Sequence, residues 1–151
     1  VVKKFLYTPL LLLWAVQAFA GTWGTGSFEN DDALDWAQEF ESRPSMAVVV
    51  STLKRVNGTS YIEASDGAAV IAAAEVVAAA AGSPSKSLPV PLATWAAKQP
   101  KAEAVAQLPL ARQAVARVAR GDRSELRELW LGSKAAAWQA AVAELEARLT
   151  K

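Results

Sequence analysis

The chain has no cysteine and no histidine, and Met46 is its one methionine. Without histidine, Ser-His-Asp and Cys-His nucleophilic sites are excluded. Histidine or thiolate metal centres and the usual haem ligation are excluded as well. Without cysteine there is no disulfide, so stability has to come from packing. Net charge is nearly absent: 16 Lys and Arg stand against 15 Asp and Glu, a formal +1 at pH 7. Bulk charge therefore does not argue for a nucleic acid or an anionic membrane as partner. Long apolar runs are also missing, because the two candidates are both shorter than the ~20 residues a bilayer span needs.

The first of these runs opens the sequence. Lys3 and Lys4 precede an apolar stretch from Phe5 to Val16, and Ala18-Phe19-Ala20 has the small-x-small pattern of a cleavage site. This pattern predicts a secretory signal peptide over residues 1–20, cleaved after Ala20, and hence export to the periplasm or the exterior. No cysteine follows the apolar stretch, so a lipid anchor is not expected, and cleavage leaves no membrane anchor. Loss of Lys3 and Lys4 leaves 14 basic residues against 15 acidic ones. Residues 21–151 are then the size of one domain, long enough to bury a core.

The densest chemistry lies in Gly21-Thr22-Trp23-Gly24-Thr25-Gly26-Ser27-Phe28-Glu29-Asn30-Asp31-Asp32-Ala33-Leu34-Asp35-Trp36. Gly21, Gly24 and Gly26 allow close backbone approach and predict a tight loop that tucks a large ring inward. Residues 30–40 then read as a helix. Asn30 is a good N-cap, Asp31 and Asp32 suit the positive end of the helix dipole, and Ala33, Trp36, Ala37 and Phe40 form an apolar face. Asp31, Asp35 and Glu39 form an acidic ridge at i, i+4 and i+8. The glycines do not make a nucleotide site: no strand precedes them and no Lys-Ser/Thr follows.

This run resembles the opening of a bacterial family, the domain of unknown function 4259, whose members typically begin Met-Gly-x-Trp-Gly-x-Gly-x-Phe, then Asp or Glu, then Asn-Asp-x-Ala-x-Asp and an aromatic residue. Tyr61-Ile62-Glu63-Ala64, the Ala73-Ala74-Glu75-Val76-Val77-Ala78-Ala79 run, Ser124-Glu125-Leu126-Arg127-Glu128-Leu129-Trp130 and Trp138 fit it too. The resemblance spans residues 21 to 150. It supports one domain and implies no activity.

Helices are further expected over 44–56, with Pro44 near its first position, and over 66–81, ending at Gly82. Others are expected over 91–98, over 109–120 with Pro109 at its start, and over 123–131 behind an Asp122/Glu125 capping box. Ser133 is placed to cap a last helix in which Glu144 and Arg148 pair. The 66–81 helix is almost wholly Ala and Val, so it should be surrounded by protein. Glu75 in its middle is either an exposed edge or a buried carboxylate with a fixed partner. Arg112, Arg117, Arg120, Arg123 and Arg127 could hold phosphate-rich ligands, but read as solvated faces of two helices.

The expected architecture is thus all-α, a single compact helical domain of six or seven helices. The expected role is a binding or interaction module with a protein partner, without cofactor, metal or catalytic residue. Its contact surface would be Trp23, Glu29, Asn30, Asp31, Asp32, Asp35 and Glu39. Gly21, Gly24, Gly26, Phe28, Trp36 and Glu75 would be structural. The alternative is a carboxylate-based hydrolase using Asp31, Asp32 and Asp35, with or without a divalent cation. The EF-hand spacing for such a cation is missing.

Overall fold

The computed structural model describes residues 24–151. The expected signal segment and cleavage site after Ala20, and Gly21 and Trp23, lie outside the described residues. Within them are seven α-helices and no strand: α1 (Asp31–Ser42), α2 (Met46–Leu53), α3 (Ala64–Ala80), α4 (Val90–Ala96), α5 (Lys101–Arg120), α6 (Glu125–Leu129) and α7 (Ala135–Arg148). A 3-10 turn, Lys54–Val56, extends α2.

The organising element is α3. Every residue from Gly67 to Ala80 is buried, and all the other helices pack on it. Its Ala-rich surface is why so many neighbours fit, since small side chains let helix backbones come close. Its end is set by Gly82 at φ +102°, with Ser83 N–H donating to Ala78 O at 2.8 Å and Gly82 N–H to Ala79 O at 3.0 Å. This is the double bond of a Schellman ending, which needs the left-handed conformation glycine adopts freely. Its start is satisfied from outside: Ala64 N–H donates to the Glu125 carboxylate of α6 at 2.8 Å. Just before it, Ile62 pairs with the segment entering α6, donating to Arg123 O and accepting from Glu125 N–H, both at 2.9 Å.

Helix α1 begins as its residues dictate, the Asn30 side-chain oxygen accepting from Ala33 N–H at 2.8 Å. Its apolar face, Ala33, Trp36, Ala37 and Phe40, is buried. Trp36 stacks on Phe40 at 5.2 Å, and Phe40 meets Trp95 of α4 edge-on at 5.0 Å. The Trp36 indole N–H donates to Thr52 Oγ1 at 3.0 Å, so this buried polar tip is satisfied across α2.

Four expectations about helix ends are corrected. Pro44, expected near the first position of α2, lies outside it: Met46 is the first residue, and Ser45 is the cap, its Oγ accepting from Val48 N–H at 3.2 Å. Ser124, not Asp122, caps α6, and Glu125 is turned instead to the start of α3. Ser133 does not cap α7: Lys134 is its N-cap, without a side-chain bond, and Ala135 N–H is taken by Gly132 O in a preceding turn. The largest correction is α5, which starts at Lys101 and carries Pro109 inside it. Buried Ala104, Leu108, Ala111, Ala114, Val115 and Val118 form one stripe through the proline. That continuous burial outweighs the single backbone bond a proline removes.

Candidate functional site

The opening loop folds around Glu29. Gly24 N–H donates to Glu29 O at 3.1 Å, Glu29 N–H to Gly26 O at 3.0 Å, and Gly26 N–H to the Glu29 carboxylate at 2.7 Å. A Cβ at Gly24 would run into Glu29 as far down as its Cβ, so glycine is required there by close approach; at Gly26 it would meet only the outer end of the Glu29 side chain, displacing the carboxylate from the Gly26 amide. Phe28 enters the core. Ser27 donates its hydroxyl to Glu75 Oε1 at 2.7 Å.

Glu75 is 2% exposed, a buried carboxylate with a fixed partner. Arg148, at the end of α7 and 8% exposed, grips it with two bonds, Nη1 to Oε2 at 2.6 Å and Nη2 to Oε1 at 2.9 Å. Arg148 Nε also reaches Glu144 at 3.2 Å, and Nη1 reaches Ser83 O at 3.5 Å. Burial works against the Arg148 charge, but the hydrogen bonds and charge of Glu75, with Glu144 behind them, hold the guanidinium above its ordinary value. The opening loop, α3, the turn after α3 and α7 thus meet at one ion pair.

Among the candidate contact residues, Glu29 and Asn30 are engaged within the loop and the cap. Asp31, Asp32, Asp35 and Glu39 stand exposed on α1. Glu39 lines a separate shallow depression with Arg43 and Ser45. The acids of the first turns have company that sequence reasoning missed. Asp32 senses Glu125 of α6 as well as Asp35 and Asp31. Tyr61, 45% exposed, bonds Glu128 at 3.3 Å and senses Glu128, Glu125 and Glu63. The acidic surface is therefore composite, built from α1, the segment before α3, and α6, with a tyrosine among the acids. Its second half is brought in by the Ile62–Ser124 pairing. Among the described residues no cluster of three metal-ligating side chains is placed to hold an ion.

Burial, then Asp35, Asp31 and Glu125, raise the Asp32 pKa above the ordinary aspartate value. An acid raised on folding contributes stability that is present below its unfolded pKa and lost as pH rises through the folded one. At neutral pH its charge therefore works against the fold. Asp32→Asn is expected to raise stability at pH 7 by a few tenths of a kcal/mol, the scale of like-charge helix neighbours. The gain should fade on acidification below the aspartate range and in high salt. Urea unfolding at several pH values checks this, and a gain that grows in acid would refute it.

The basic residues are used differently from one another. Arg117 donates to Thr59 O at 2.7 Å and Arg112 to Leu149 O at 3.1 Å, tying the connection before α3 and the end of α7 to α5. Arg120 pairs with Glu146 at 2.6 Å. Arg127 lines a groove with Arg120, Trp138 and Gln139.

Residues 21–141 match the family described as Domain of unknown function (DUF4259), and the chain belongs to that family. The family description carries no activity, and function is not established by membership. No curated protein and no solved structure matches the chain.

Proposed function

We propose that the protein is an exported helical binding module whose composite acidic face takes a basic protein surface. The observation that carries this reading is that Glu63, Glu125 and Glu128 surround the exposed Tyr61 while Glu125 also acts on Asp32, beside Asp31 and Asp35 on α1, so that the two acidic groups join. A tyrosine gives a large contact area at low entropic cost, and a one-signed face steers and selects an oppositely charged partner. Asp31, Asp32, Asp35, Glu63 and Glu128 are exposed, as a steering surface needs, and Glu125 is half-buried between them. A hydrolytic acid–base pair would instead need two carboxylates facing each other across one bond, with room for the attacking water. Glu125, the foreign acid beside Asp32, is already engaged by the Ala64 amide.

A photo-reactive amino acid placed at Tyr61 in the exporting cell tests this, with the same group at exposed Val105 of α5 as control. A basic contact peptide cross-linked at 61, absent at 105 and lost in Asp32→Lys/Asp35→Lys, is expected. Equal capture at both positions, or an acidic contact peptide, would overturn the reading. The exported protein should begin at Gly21 by mass; material retaining residues 1–20 would remove the export half of the proposal.

A further inference from the structure

We propose that the groove between the end of α5, α6 and α7 is a binding site for a small organic carboxylate with an apolar body, held by Arg127. The groove encloses about 340 Å³ and is lined by Ala119, Arg120, Arg127, Trp138, Gln139 and Glu146, among others. That volume falls in the size range of small-molecule sites, which join apolar walls to a few convergent polar groups. Ala119 of α5 and Trp138, Val142 and Ala143 of α7 supply the apolar wall.

The charges at the rim decide the ligand class. Arg120 is already engaged by Glu146 at 2.6 Å. Arg127 makes no ion pair with any described residue. One guanidinium is thus left with its planar fork of donors, which matches a carboxylate with two parallel bonds. Glu146 at the same rim repels a second negative charge, so a dianionic phosphate is disfavoured and a monoanion preferred. The apolar wall requires carbon on the ligand. Gln139 adds a neutral donor and acceptor beside the charge. This site is separate from the acidic face and does not depend on it.

The probe is 3-phenylpropionate, titrated into the isotope-labelled full chain and followed by the Trp138 indole and Gln139 side-chain NMR signals. Its neutral amide and inorganic phosphate are titrated alongside. Saturable millimolar binding of the carboxylate is expected, with both controls much weaker. Arg127→Gln should weaken it about tenfold or more, the scale of a lost charged hydrogen bond. Arg127→Lys, keeping charge without the fork, should fall between. Glu146→Gln should tighten it several-fold, by removing the repulsion and releasing the Arg120 guanidinium at the same rim. No binding, equal binding of the amide or of phosphate, or indifference to both Arg127→Gln and Glu146→Gln would each overturn the proposal. Since Glu146 and Arg127 stand on different helices, one variant remains readable if the other fails to fold.

Discussion

Arg148→Met is expected to destabilise the protein by about 3–5 kcal/mol, and Glu75→Leu by a similar amount. Each leaves one charge of a buried pair without its partner. Typical domains are stable by only about 5–15 kcal/mol, so either change takes the chain close to unfolding. Replacing both partners should behave differently. In Glu75→Leu/Arg148→Met no charge is left in the core, and the two side chains fill comparable volume. The stray bonds are easily re-made: Ser27 is partly exposed and Glu144 stands in water. The double variant is therefore expected within about 1 kcal/mol of the parent, or more stable than it. Urea unfolding of the four proteins, arranged as a double-mutant cycle, reads the coupling directly. Single substitutions costing under about 1 kcal/mol, the value of an exposed pair, would show that the pair is solvated in solution. A double variant as unstable as the singles would show that the pair fixes how α7 and the opening loop seat on α3.

Pro109→Ala should have the opposite sign. Pro109 sits nine residues into α5, with no N–H to give the Val105 carbonyl and a ring that crowds it. The helix-interior cost of proline is about 3 kcal/mol. Part of that is already relaxed here, because both Pro109 and Val105 are exposed and water can reach the freed carbonyl. Alanine also loosens the unfolded chain, returning about 0.4–1 kcal/mol to the unfolded state. A net gain of about 1–2 kcal/mol is expected, seen as a shifted urea midpoint with an unchanged slope. A loss instead would mean that α3 needs α5 bent at this point.

Pro109 also shows where a sequence reading goes wrong. Proline is frequent at the first position of a helix, and that rule placed the start of α5 there. Yet Ala104 and Leu108 continue the stripe of Ala111, Val115 and Val118, a pattern present in the sequence that outranks one punctuating residue. Local rules succeeded where the partner is local, as with the Asn30 cap, the Gly82 ending and the Glu144–Arg148 pair. They failed at Ser124 and Glu125, because Glu125 is drawn away by the start of α3, sixty-one residues earlier.

The sequence by itself determined the helical class, the buried Ala/Val helix and a tight glycine loop ahead of α1, although not that this loop closes on Glu29. Each of these follows from contacts within a few turns of the chain, or from a helix with no polar side to show to water. Family membership was legible in the same way, from one dense motif. Only the tertiary structure decided the rest. Glu75 could be assigned a partner only once α7 brought Arg148 to it across 73 residues. The acidic face became composite because backbone pairing of Ile62 with the start of α6 carries Glu125 and Glu128 beside α1. Charges act through space and are blind to chain order, so which of them meet is settled by packing.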